Sequence, residues 1–239
     1  MGYQTVFKRY EMKYLLSTEQ KNQILEVMAP FMTADRYGRS TIRNIYYDTD
    51  TYRLIRQSIE KPAYKEKLRI RSYEKADADS PVFAELKKKY QSVVYKRRMI
   101  LPARAAEDWL CGGASAPAQT QIAGEIDYFC RFYAPLRPAV FLSYEREAYY
   151  AADDGDFRVT FDENILCRRE ALSLGADVWG MPLLDADQVL MEIKTAGGIP
   201  LWMTHFLTEQ RLSKTSFSKY GAAYQKILFQ KPAGGKNYA

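Results

Sequence analysis

Histidine is almost missing from this chain. His205 is the only one, and Cys111, Cys130 and Cys167 are an odd number without metal-type spacing. One histidine supports neither a Ser-His-Asp triad nor a Cys-His pair, and the cysteines argue against a zinc site or a disulfide framework, so a reducing cytoplasm is the expected setting. His205 sits on an apolar helical stretch with Trp202 and Phe206 and reads as a packed or capping residue. A Gly-rich phosphate loop is also lacking, and no apolar run approaches the 18 or so residues of a membrane span. The start, Met1 to Leu16, carries Lys8, Arg9, Glu11 and Lys13 where a signal peptide needs an apolar stretch. Gly2 is followed by Val6 where myristoylation requires Ser or Thr. The expectation is a soluble, cytoplasmic protein. Without a composition break or repeat, residues 1–230 read as a single domain and 231–239, rich in Gly, as a flexible tail.

What is present is charge in alternation. From Lys65 to Arg71 every second residue is cationic: Lys65, Lys67, Arg69, Arg71. Side chains on a strand alternate faces, so these four stand in one row about 7 Å apart. The pattern returns in Glu85, Lys87 and Lys89, in Arg158, Thr160 and Asp162, and in Glu192 and Lys194. An antiparallel sheet with one wet face alternates in the same way. The mixture is informative: Glu11, Glu85 and Glu192 each lie two residues from a lysine on the same face (Lys13, Lys87, Lys194), which suggests a metal together with phosphates. Charged faces that meet one another, or a ligand, fit a closed barrel with a polar bore. The net charge of +6 and pI near 9.0 favour an acidic partner, and 239 residues with 47% hydrophobic content suffice for a large core.

The coarse pattern is mixed α and β. Val6 to Leu15 reads as a strand, and Ser17 with Gln20 forms a capping-box signal before Ile24, Leu25, Met28 and Phe31 at helical spacing. Thr41 to Tyr47 is extended, and Asp48, Thr49 and Asp50 offer a cap to a short helix with Leu54 and Ile55. Tyr64 to Tyr73, Val82 to Lys89 and Val93 to Leu101 form a meander. Ala103 to Tyr133 is helical apart from the Gly112 to Ala118 loop. Its Ile122, Ile126, Phe129, Tyr133 stripe is expected to pack outside the barrel. Ala139 to Tyr150, Phe157 to Asp162 and Val189 to Thr195 are strands, the first two joined by a hairpin turn over Asp153 to Asp156. Thr204 to Leu212 and Ser218 to Phe229 are helices. Tyr46, Tyr47 and Tyr73 near basic strands invite a nucleic-acid reading, but 19 tyrosines spread through all elements look like packing, and Glu within the basic rows opposes a nucleic-acid backbone.

Several linked segments then carry a resemblance: Phe7-Lys-Arg-Tyr-Glu-Met-Lys-Tyr14, Ile45-Tyr-Tyr-Asp48, Lys67-Leu-Arg-Ile-Arg71, Glu85-Leu-Lys87, Glu145-Arg146, Met191-Glu-Ile-Lys194 and Ser216-Phe-Ser-Lys-Tyr220. Their order over residues 5–228 resembles the VTC catalytic-domain family, polyphosphate polymerases within the triphosphate tunnel metalloenzymes and relatives of the CYTH phosphatases and adenylyl cyclases. The resemblance implies an α+β fold: an antiparallel eight-stranded β-barrel tunnel with helices packed outside, binding a triphosphate and a divalent metal, Mn²⁺ or Mg²⁺. It implies that Lys13, Arg69, Arg71, Lys87, Arg146, Arg158 and Lys194 act on the transferring phosphates, that Lys67, Lys96, Lys214 and Lys219 bind substrate, and that Glu192, with Glu11, holds the metal. Arg97 or Arg98 is an alternative to Lys96.

Two departures bear on chemistry. The superfamily often opens with Glu-x-Glu-x-Lys, whereas here the first position is Arg9, leaving Glu11 as that strand's lone acid. Ser216 stands where fungal relatives are basic, so Lys214 is the candidate replacement. Hydrolysis needs a water deprotonated by a carboxylate, whereas transfer to another phosphate meets an acceptor oxygen already ionised near pH 7. The balance leans toward an ATP-dependent polyphosphate polymerase. A metal-dependent tripolyphosphatase and a non-catalytic sensor of polyphosphate or inositol phosphates are the alternatives. The fungal relatives carry an added sensing domain and membrane helices for which this chain has no room, so a separate membrane partner would supply any channel. Nucleic acid is not expected as a partner.

Overall fold

The computed structural model describes residues 6–91, 93–152 and 157–229. The tail at 231–239 and the turn over Asp153 to Asp156 lie outside the described residues. Ten strands form one antiparallel sheet: β1 Val6–Ser17, β2 Met32–Ala34, β3 Ser40–Asp48, β4 Tyr64–Ser72, β5 Pro81–Tyr90, β6 Val93–Pro102, β7 Arg137–Ala151, β8 Arg158–Arg168, β9 Met181–Pro182 and β10 Gln188–Thr195. Their order is β2-β7-β3-β4-β5-β6-β1-β10-β8-β9, and β7 also pairs with β8. That last pairing runs from Phe141 opposite Arg168 to Tyr150 opposite Arg158 and joins the ends into a ring of the eight long strands. The short β2 and β9, which the alternation does not announce, extend β7 and β8.

Period-two patterning decides which residues face outward. Ile45, Tyr47, Leu68, Ile70, Ala84 and Leu86 on β3 to β5 bury against α3 (Ala103–Leu110) and α4 (Gln121–Phe132), with Trp109, Ile126 and Phe129 at the contact. On the other side Tyr14, Leu16, Val159, Phe161, Met191 and Ile193 bury against α1 (Thr18–Met28) and α5 (Leu201–Glu209). Fully burying each such side chain contributes about 2 kcal/mol. The Ser17–Gln20 capping box forms as the spacing predicts, the Ser17 hydroxyl accepting from the Gln20 amide at 3.1 Å and the Gln20 side chain accepting from the Ser17 amide at 3.0 Å.

The α2 helix (Arg53–Ile59) is capped from further away than expected. Its preceding residue, Tyr52, is left-handed with φ 56° and gives no side-chain cap. The buried Asp48 carboxylate instead accepts from the amides of Thr49, Leu54 and Ile55 at 2.8, 2.9 and 3.0 Å. The C-terminal helix is short, α6 Lys219–Ala223, and continues into a π-helical turn, Tyr224–Leu228. His205 is exposed on α5 rather than packed. Among the described residues no helix is long and apolar enough to cross a membrane.

Candidate active site in the barrel bore

The inward faces carry the charged rows. On β4 and β5, Lys67 stands opposite Lys87 and Arg69 opposite Glu85. On β6, Arg98 stands opposite Glu85 and Lys96 opposite Lys87. Glu11 and Lys13 of β1 stand opposite Lys194 and Glu192 of β10, and β10 meets Arg158, Thr160 and Asp162 of β8. Parity settles the β6 alternatives: Lys96 and Arg98 face Glu85, whereas Arg97 points outward to Glu125 of α4 at 3.1 Å.

Glu85, Asp162 and Glu192 are each ringed by cations. Glu85, 1% exposed, accepts two bonds from Arg69 at Oε2, 2.9 and 2.7 Å, and two from Arg98 at Oε1 at the same distances. Lys96 approaches it to 2.6 Å and Arg71 to 3.9 Å. Asp162 accepts from Arg146 at 2.6 and 2.7 Å and from Lys219. Glu192 meets Lys194 at 2.9 Å, Lys219 at 3.2 Å, and Lys13 and Arg146 at 3.4 Å. Lys87 pairs with Glu11. Burial alone would raise these carboxyl groups, but the cations hold Glu85 and Glu192 well below the usual range and Glu11 at about 2.

Cations outnumber these acids, and the excess appears in their titration. Burial pushes the Lys67 ammonium well down, and Lys13, Lys87 and Lys65 push it further. Its hydrogen-bond partner is the hydroxyl of Ser218 at 2.9 Å. Lys194 is lowered to about 7 by burial, with Arg146 and Arg158 opposing the pull of Glu192. Burial also lowers Lys13 and Arg158. Such a bore favours any ligand that brings several negative charges at once.

One end is crossed by the segment from Thr215 to Tyr220. The Thr215 amide donates to the Lys13 carbonyl at 2.8 Å, Lys13 donates to the Phe217 carbonyl at 2.9 Å, and Lys219 reaches Asp162 and Glu192. Tyr220 donates to Asp48 at 2.8 Å and stacks on Tyr46 with ring centroids 4.7 Å apart. Contacts to inner residues of β1, β3, β4, β8 and β10 place this segment across the bore.

The bore thus gathers Lys13, Lys67, Arg69, Arg71, Lys87, Lys96, Arg146, Lys194 and Lys219 with Glu11 and Glu192. Arg158 stands at the opposite end, over the Tyr150 ring at 4.6 Å and 3.8 Å from Asp35. Lys214 is not in the set: it is exposed, one residue before the Thr215 amide that bonds the Lys13 carbonyl. Residues absent from the sequence-derived site are Asp162 and Glu85, whose place on the inward parity was the available signal, and Arg98, named only as an alternative to Lys96, stands in the bore beside it. Asn44, Tyr46 and Tyr144, which bond Arg71 and Arg69 at 2.7–2.9 Å, carry no charge to mark them.

The carboxylates Glu11 and Glu192 lie diagonally on β1 and β10, and the charge of Glu192 works against ionisation of Glu11. Paired carboxylate oxygens suit a hard divalent cation completed by phosphate oxygens and water. Among the described residues no group of three or more His, Cys, Asp or Glu forms a cage by itself.

A candidate adenylate cyclase from Bacillus halodurans aligns with 95% of this chain and 100% of its own, with TM-score 0.58 and 16% identity. A Hippeastrum protein, described as a candidate adenylyl cyclase with a dominant triphosphatase activity, aligns over 91% of this chain and 95% of its own at TM-score 0.57 and 15% identity. At that identity both establish the fold only. No curated protein matches the chain. The VTC domain profile matches residues 8–228, nearly the whole of the described barrel, and the chain belongs to the VTC domain family.

Proposed function

We propose that the chain is a metal-dependent polyphosphate polymerase that moves the γ-phosphoryl group of ATP onto the end of a polyphosphate chain inside the bore. The observation carrying this reading is that Glu85, Asp162 and Glu192 are each held by two or more cations at ion-pair distance and Glu11 by Lys87, so each acid of the bore is already engaged rather than poised on a water. In the transfer a terminal phosphate oxygen attacks the γ-phosphorus, the bond from that phosphorus to the β,γ-bridging oxygen breaks, and ADP leaves with the electron pair. No proton has to be removed from an ionised acceptor.

Arg69, Arg98, Lys96 and Arg71 around Glu85, and Lys13, Arg146, Lys194 and Lys219 around Glu192, would orient the equatorial phosphate oxygens and stabilise charge that spreads in the transition state. Glu192 and Glu11 would hold the Mn²⁺ or Mg²⁺, which when bound neutralises phosphate oxygens. Polyphosphate would thread the bore. The setting that supplies ATP is the cytoplasm.

Hydrolysis of tripolyphosphate is the second reading, favoured by the dominant triphosphatase activity of the Hippeastrum protein on the same fold. Purified protein incubated with ATP and Mn²⁺ or Mg²⁺, its products separated on a gel, distinguishes the two. Long polymer with ADP supports the polymerase; free phosphate without polymer replaces it with the hydrolase; neither product points to a binding module.

A further inference from the structure

A cleft of about 400 Å³ opens to solvent where α2, the residue after β8 and the C-terminal π-helical turn meet. None of the charged residues of the bore lines it. Arg56 of α2 and Arg169 after β8 both do, and both are exposed. Neither guanidinium has an ion-pair or hydrogen-bond partner among the described residues, and no Asp or Glu lines the cleft. Asp50, the acid nearest in sequence to this end of α2, is taken by Arg137 at 2.8 Å. Two cations therefore share one open cleft without a counter-charge.

The rest of the lining is aromatic, and the backbone departs from regular geometry to put it there. Tyr52 is left-handed, φ 56° and ψ 38°, a conformation costly for a bulky side chain and one that leaves α2 without a cap from this residue. Its ring meets Tyr224 edge to face, centroids 5.6 Å apart. Tyr224 opens the π-helical turn, a wide and uncommon geometry that occurs mostly at functional positions, and the Phe229 amide closes it by donating to the Tyr224 carbonyl at 2.7 Å. That bond sets the Phe229 ring beside Tyr224 at 5.8 Å, with half of Phe229 exposed. Both irregular segments thus present rings to the cleft that holds the two arginines.

We infer that this cleft binds a nucleotide, its phosphoryl group held by Arg56 and Arg169 and its base laid against the ring of Phe229. A guanidinium fork takes phosphoryl oxygens two at a time, and an exposed aromatic ring offers a flat base the stacking surface it loses on leaving water. The cleft has the volume of a small-molecule site. An inorganic anion would use the arginines and leave the rings idle; an uncharged ring would do the opposite. The site is separate from the bore and does not depend on what the bore catalyses.

Calorimetry with AMP tests this. In the presence of saturating tripolyphosphate, AMP is expected to bind the wild type at one site. Adenosine and inorganic phosphate, each offering half of the ligand, should bind roughly tenfold or more weakly than AMP. Arg56→Gln and Arg169→Gln should each weaken AMP by roughly tenfold or more, and Phe229→Ala severalfold, with tripolyphosphate affinity unchanged in all three. Arg146→Ala should weaken tripolyphosphate and leave AMP unchanged. The arginine variants read the cleft whatever the bore binds, so a failure here is distinct from a failure of the polymerase reading. No binding of AMP, or equal binding in the wild type, Arg56→Gln and Arg169→Gln, would overturn the inference. Inorganic phosphate that binds as tightly as AMP would overturn the nucleotide assignment.

Discussion

Lys194 is buried, and its ammonium sits near 7 because lost hydration and the charges of Arg146 and Arg158 outweigh the attraction of Glu192. A polyanion in the bore restores the missing counter-charge and raises that value. Between pH 7 and the raised value, ligand binding therefore takes up a proton, and the contribution of Lys194 to affinity is full below pH 7 and fades as pH rises above it. Calorimetry of tripolyphosphate at pH 8 in buffers of different ionisation enthalpy is expected to show this uptake. Lys194→Arg, always charged, should remove the part due to the lysine, and equal proton uptake in the two proteins would refute the assignment. Glu192→Gln removes the carboxylate that four cations share. Turnover should vanish, and the melting temperature should fall because those cations lose their partner, with tripolyphosphate restoring it. Unchanged turnover would remove Glu192 from the metal site. At this scale the sequence was legible wherever parity carries charge: Arg69, Lys87 and Lys194 face inward as the alternation requires. It was silent on Lys96 against Arg97, which needed the actual register, and on Asn44 and Tyr144, neutral residues that only a shared bore brings to Arg71.

Among the elements, the long strands, the α1 cap and the existence of α2 and α6 follow from local signals, while the reach of the α2 cap and the π-helical end after α6 do not. Asp48 reaches forward over several residues to cap α2, and the same carboxylate accepts from Tyr220 across the barrel end. A sequence window sees Asp48 as one of three adjacent cap candidates and cannot see Tyr220 at all. The consequence is a link between helix capping and closure of the bore. Asp48→Ala should cost about 3 kcal/mol of stability in urea unfolding, since it leaves several buried donors without an acceptor. Asp48→Asn, which keeps an acceptor oxygen, should cost less. Equal losses would mean that the cavity rather than the hydrogen bonds sets the penalty. Lys214 was read as the candidate replacement for the basic residue that fungal relatives carry at the position of Ser216; it is exposed, next to a Thr215 amide that bonds the Lys13 carbonyl, a long-range contact that the sequence does not encode.

At the level of the whole molecule the barrel wall separates two sets of cations. Closure of the ring by β7 and β8 puts one set into a confined space with fewer acids, while Lys88 and Arg97 remain outside on Glu125. Binding of tripolyphosphate should fall steeply with salt, by analogy with other polyanions whose counterions are released on binding. Diffuse attraction to a basic surface would do the same, so salt alone does not decide. The decisive comparison uses two neighbours on β6. Lys96 faces Glu85 in the bore and Arg97 faces Glu125 on the outside, so the two substitutions remove equal charge a few ångströms apart on opposite sides of one strand. Tripolyphosphate affinity measured by calorimetry for the wild type, Lys96→Ala and Arg97→Ala should drop by roughly 3 kcal/mol for Lys96→Ala, the loss typical of a buried charged contact, and stay within a few tenths for Arg97→Ala. Equal losses from both would contradict a bore that binds the polyanion.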